Sequence, residues 1–154
     1  MIILVINCGS SSIKYQLLDM KNDDVYDVLA KGLVEKIGLE TGCLQHTATG
    51  KDKYVIDLPI PDHKVGMKLV LDALTDADHG VLKSLDDIEA VGHRIVHGGE
   101  YFSSSALVNE DVMKKIEICC DFAPLHNPAH LLGIRAVQAV LPSVPQVVTF
   151  DTAF

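Results

Sequence analysis

Apolar and polar positions alternate with a strand-like rhythm over the first third of the chain. Residues 2–6 form an unbroken apolar run and residues 15–18 resume the pattern. Between them lies Asn7-Cys8-Gly9-Ser10-Ser11-Ser12-Ile13-Lys14, short and rich in glycine and serine. A buried strand, a tight turn and a second strand predict a hairpin. Residues 25–34 and 43–58 read as further strands, broken by Gly38, Gly42 and the Gly50-Lys51-Asp52 turn signal, so an antiparallel meander is expected. The rhythm then changes. Asp62 suits a helix cap, with Met67, Val70, Leu71 and Leu74 recurring at helical spacing, and residues 88–96 return to a strand pattern. Asn109 caps a second helix, with Glu110 and Asp111 at its positive end and Val112, Ile116, Cys119 and Cys120 on one face. Asn127-Pro128 starts a third, which runs through Leu132 and Val137 and stops before Pro142; residues 144–150 close the series as a buried strand. Strands first, then strands alternating with helices, predict an α/β fold: a mixed sheet covered by helices.

Composition narrows the class. A chain of 154 residues with 48% hydrophobic content fits one domain that buries roughly two-thirds of its unfolded surface. The N-terminus carries no basic region or small-residue cleavage site, and no apolar run approaches the ~18 residues of a membrane span, so a cytoplasmic protein without a membrane partner is expected. Cys8, Cys43, Cys119 and Cys120 form no CxxC pair, which favours reduced, mostly buried thiols over disulfides or zinc. A net charge of −8 argues against nucleic acid. It does not exclude a small anionic substrate, because the Debye length at physiological salt is about 8 Å and a few local cations outweigh distant carboxylates. The final Thr149-Phe150-Asp151-Thr152-Ala153-Phe154 follows a strand with no polar tail, and the chain reads as cut rather than finished.

Candidate chemistry begins at the hairpin tip. Its N–H groups, three hydroxyls and the Lys14 ammonium are donors suited to polyphosphate, and Gly9 admits close backbone approach. A turn that is polar only because turns are polar is the equal alternative. The stretch Val91-Gly92-His93-Arg94-Ile95-Val96-His97-Gly98-Gly99 holds two histidines four apart. In a strand that spacing spans roughly 13 Å at ~3.3 Å per residue, too far for one metal. The same period puts His93, Ile95 and His97 on one face and Arg94 with Val96 on the other. An arginine beside an aliphatic residue suits a small carboxylate with a short alkyl tail; a salt-bridged arginine beside a core valine is the simpler alternative. His126 precedes a helix N-terminus, where a neutral imidazole or an adjacent anion is favoured, or it is a solvated loop histidine. His130 cannot share its helix face. Asp151 follows a strand, where α/β sheets place ligands, or it caps a turn.

Taken jointly and in order, residues 7–14, residues 91–99, Ala123-Pro124-Leu125-His126-Asn127-Pro128 and Phe150-Asp151-Thr152-Ala153-Phe154 resemble the acetokinase family, within the actin, sugar-kinase and Hsp70 ATPase superfamily. The resemblance covers the whole chain. It implies a ribonuclease H-like mixed sheet flanked by helices, one of the two domains of an actin-like ATPase fold. It implies reversible, ATP-dependent phosphorylation of acetate to acetyl phosphate with Mg²⁺ or Mn²⁺. Asn7 would serve the metal and phosphates; Ser10, Ser12 and Lys14 would hold the ATP phosphates. Arg94 would bind the carboxylate and the phosphoryl in flight, Val96 and Leu125 would wall the methyl pocket, and His126 would lie near the transferring group. Asp151 is the family's assigned acid/base residue. A carboxylic acid with a pKa near Glu's ~4.3 is already ionised at pH 7 and has no proton to lose. Asp151 is therefore expected to fix Mg²⁺ through water. Residues 1–154 would be the N-terminal domain, with a second domain, absent here, supplying the adenosine site, a metal carboxylate and most of a homodimer interface. Propionate or butyrate kinase is the alternative enzyme, and a noncatalytic nucleotide-binding module the alternative class.

Overall fold

The computed structural model of the protein describes residues 1–21, 25–95, 106–107 and 127–150. The helix expected from Asn109, with Cys119 and Cys120, lies outside the described residues, as do Val96, His97, Leu125, His126 and Asp151.

The expected meander is present. β1 (Ile2–Cys8) turns every second side chain, Leu4, Ile6 and Cys8, into the core, and β2 (Ile13–Met20) answers with Ile13, Tyr15 and Leu17. They pair antiparallel with Ile6 opposite Tyr15 and Asn7 opposite Lys14. β3 (Tyr26–Glu35), β4 (Gly42–Ala48) and β5 (Tyr54–Leu58) extend the antiparallel series. Gly50, at φ 83°, makes the β4–β5 turn, in the left-handed region that glycine enters without steric cost.

On the other side of β1 the sheet becomes parallel. β6 (Ala90–Ile95) pairs with β1, and β8 (Gln146–Phe150) pairs with β6; the short β7 (Ala106–Leu107) runs antiparallel to β8 at the edge. The eight strands form one mixed sheet in the order β5-β4-β3-β2-β1-β6-β8-β7. Between parallel strands the chain needs crossovers. One contains α1 (His63–Thr75), the other α2 (Asn127–Val140). The Asp62 carboxylate caps α1 by accepting from the Val65 N–H at 2.9 Å. Met67, Val70, Leu71 and Leu74 are buried as their spacing predicts, each burial being worth about 1.5–3 kcal/mol. They join Leu4, Ile6, Ile13 and Tyr15 of the sheet and Ala136 and Val137 of α2 in one core.

The strand expected over residues 88–96 is shorter at its start. Ser84 and Asp87 form a reciprocal cap around a 3₁₀ turn (Leu85–Asp87), and Ile88 closes that turn. Ile88 is apolar because it packs in the core, at 3% exposure, not because it pairs in the sheet.

A buried polar chain crosses the meander. The His46 ring lies 3.1 Å from the His79 carbonyl through Nε2. A carbonyl only accepts, so Nε2 carries the proton and Nδ1 accepts from the Tyr15 hydroxyl. Burial lowers the His46 pKa and raises that of Tyr15. Gly32 makes room for this arrangement, since a Cβ there would collide with the Tyr15 hydroxyl and the Gln45 carbonyl.

Candidate functional site

The β1–β2 hairpin ends in the turn formed by Gly9, Ser10, Ser11 and Ser12, and three hydrogen bonds hold the carbonyls of Gly9, Ser11 and Ser12. The Gly9 N–H donates to the Ser12 carbonyl at 2.9 Å, the Ile37 N–H to the Ser11 carbonyl at 2.9 Å, and His63 Nε2–H to the Gly9 carbonyl at 2.8 Å. Ser10 and Ser11 are exposed and Ser12 is half-buried. Among the described residues no acceptor pairs with the Ser10 N–H or hydroxyl. Three of the turn's four carbonyls are thus occupied while the Ser10 N–H is not, a balance that suits an anion. Glycine at position 9 has a local reason as well: a Cβ there would lie 2.7 Å from Ser12 Oγ.

Asn7 and Lys14 sit opposite each other at the root of the turn, both exposed, while their neighbours Ile6, Cys8, Ile13 and Tyr15 are buried. They stand on the sheet face away from α1 and α2. Strand register brings Arg94 into the same neighbourhood. His93 pairs with Ile6 of β1, and Arg94 with Thr149 of β8. His93 is 3% exposed and its Nε2–H donates to Gln146 Oε1 at 2.5 Å. Burial pushes the His93 pKa down to about 4, only partly offset by that bond. His93 is thus a neutral core histidine. Strand alternation then assigns position 94 to the face of Asn7 and Lys14. Lys14, Asn7 and Arg94 come from three adjacent strands, β2, β1 and β6.

From Lys14 the same face continues into a shallow cavity of about 210 Å³ whose lining includes Gln16, Lys31, Gln45, Thr47 and Lys53. Lys31 and Lys53 were not among the residues expected here. The signal for Lys31 is its register opposite Gln16, which requires the β2–β3 pairing to be known. Neither described thiol contributes chemistry. Cys8 and Cys43 are buried and unbridged, and burial pushes the Cys8 thiol up to about 12, so it stays protonated.

The described residues offer a metal the exposed Asn7 amide oxygen, and no cluster of three or more histidine, cysteine or carboxylate side chains gathers among them. A single neutral oxygen attracts Mg²⁺ only weakly, since that ion is ordinarily held by one or two carboxylates together with substrate phosphates and water. No described helix is long and apolar enough to cross a membrane.

Comparison with known proteins identifies the family and the fold. The family model described as "Acetokinase family" matches residues 2–154. Acetate kinase 2 of Clostridium perfringens is 59% identical over 152 residues, which cover 99% of this chain and 37% of that protein. An acetate kinase of Treponema denticola is 56% identical over 152 residues, covering 99% of this chain and 38% of that one. Among solved structures, Porphyromonas gingivalis acetate kinase superposes with a TM-score of 0.94 at 47% identity, over 99% of this chain and 38% of that chain. A propionate kinase from Francisella tularensis gives 0.85 at 43% identity, over 99% of this chain and 37% of that chain. The chain spans well under half the length of these relatives. Its fold is that of the actin-like ATPases, as the sequence resemblance implied.

Proposed function

The chain belongs to the acetokinase family, and from that premise we propose that the complete protein containing it transfers the γ-phosphoryl group of ATP reversibly to acetate, giving acetyl phosphate and ADP. The observation that carries this reading is the donor-lined turn beside Lys14, on the same sheet face as position 94. In this reading residues 1–154 are the N-terminal domain. A second domain completes the nucleotide site and supplies most of the homodimer interface. The enzyme works in the cytoplasm.

The chemistry needs little proton traffic. Acetate is a carboxylate at pH 7; one of its oxygens attacks the γ-phosphorus, the bond to the β-bridging oxygen breaks, and ADP leaves with that electron pair. No proton need be removed from the nucleophile. Catalysis then rests on positioning and charge neutralisation. Ser10, Ser12 and Lys14 hold the phosphates. Arg94 pairs with the acetate carboxylate and with charge on the phosphoryl in flight, Val96 and Leu125 enclose the methyl group, and His126 donates toward the transferring group. Asn7 and, through water, Asp151 would hold Mg²⁺. That ion would supply neutralisation of phosphate charge.

Propionate is the competing acceptor, and the structural likeness to a propionate kinase keeps it in view. One methylene in an apolar pocket is worth only about 1–3 kcal/mol. Val96→Ala in the complete enzyme is expected to shift the ratio of kcat/KM values toward propionate by up to that amount, because the vacated volume admits the extra methylene. Acyl phosphate formation from each acid, measured side by side, tests this. Equal losses on both acids would make Val96 packing and not pocket.

A further inference from the structure

The phosphate-binding turn is braced from outside the hairpin. Its first peptide plane joins Gly9 to Ser10, and a trans peptide points its C=O and N–H in opposite directions. Whatever fixes the Gly9 carbonyl therefore also fixes the Ser10 N–H. Gly9 has no side chain to restrict rotation of that plane. A flipped plane would present a carbonyl dipole, instead of an N–H, to an anion.

His63 is the group that makes this bond. It opens α1, is 6% exposed, and its Nε2 lies 2.8 Å from the Gly9 oxygen. Because a carbonyl only accepts, the ring donates from Nε2 whether or not Nδ1 is protonated. The ring cannot drift from its partner. The Asp62 cap fixes the start of α1, and one turn on, a Cβ at Gly66 would lie 3.1 Å from Ile13 Cδ1. Helix α1 is thereby seated close against the second strand of the hairpin.

We propose that His63 is a positioning residue for nucleotide binding: by holding the Gly9 carbonyl inward it aims the Ser10 N–H at the polyphosphate. This rests on the phosphate-binding reading of the turn. His63 itself does not touch the nucleotide. Its loss acts through the turn and spares the acetate pocket.

The test compares His63→Phe, which fills the site without a donor, with His63→Gln, whose amide nitrogen can still donate. In the complete enzyme, Phe is expected to raise KM for ATP about three- to tenfold, the size of one hydrogen bond. KM for acetate stays unchanged, and Gln restores most of the ATP affinity. If the Phe variant does not fold, His63→Asn, too short to reach Gly9, replaces it. Wild-type KM for ATP in the Phe variant, or a Gln variant no better than Phe with both KM values raised together, would overturn the proposal. A wild-type enzyme that forms no acyl phosphate would instead defeat the kinase reading. Calorimetric binding of inorganic pyrophosphate then still decides the role of His63: wild type and Gln binding alike with Phe weaker sustains it, and equal affinity in all three overturns it.

Discussion

In the complete enzyme, Arg94→Ala lowers kcat/KM for acetate by more than about tenfold and leaves ATP affinity nearly intact. The expectation follows from the sheet. Asn7 and Lys14 lie opposite each other at the root of the turn proposed to bind phosphate, and the β1–β6 register, with Ile6 beside His93, brings position 94 next to them. A guanidinium at that point can bridge the carboxylate oxygens and the phosphoryl oxygens, where charge develops during transfer. ATP keeps its contacts with the turn, so its binding is spared. Steady-state kinetics with each substrate varied in turn check this. Unchanged acetate kinetics would remove Arg94 from the site.

Asp151→Asn is expected to give the second large effect, and its form separates two roles. A general base would make kcat fall on protonation whatever the metal concentration. A metal-positioning carboxylate would show its loss chiefly as a weaker response to Mg²⁺. The acceptor is already ionised at pH 7, and an amide keeps the shape of the side chain and some capacity to orient metal-bound water. The variant is therefore expected to need more Mg²⁺ for half-maximal rate, with excess metal restoring part of kcat. Mg²⁺ titrations of wild type and variant at several pH values decide it. An unchanged metal requirement with a lost acid limb in the pH profile would favour proton transfer.

Much of the fold was legible because it is written in local patterns. The apolar run at residues 2–6 and the alternation that follows are enough to specify a hairpin, and its observed register places Asn7 opposite Lys14. Asp62 and the spacing of Met67, Val70, Leu71 and Leu74 likewise specify α1 without help from the rest of the chain. The less legible features depend on long-range partners. His63 stands 54 residues from Gly9 in sequence, and His46 stands 31 from Tyr15. Each is an ordinary histidine until the sheet and helix bring its acceptor or donor within reach. Ile88 shows the opposite problem. Its apolar side chain looks like strand, but the Ser84 and Asp87 cap claims the backbone around it for a 3₁₀ turn. Lys31 joins the face of Lys14 through strand pairing, which an isolated stretch of sequence does not reveal. The candidate site divides in the same way: the turn is contiguous in sequence, whereas the face shared by positions 7, 14 and 94 exists only after three strands align.

The most direct test incubates the complete enzyme with ATP, Mg²⁺ and acetate in the presence of hydroxylamine, which traps an acyl phosphate as a hydroxamate, and follows ADP release in parallel. Transfer to the carboxylate predicts acetohydroxamate and ADP in equal amounts, both dependent on acetate. ADP formed without hydroxamate, at a rate indifferent to acetate, would contradict the account and leave a nucleotide hydrolase or switch in its place.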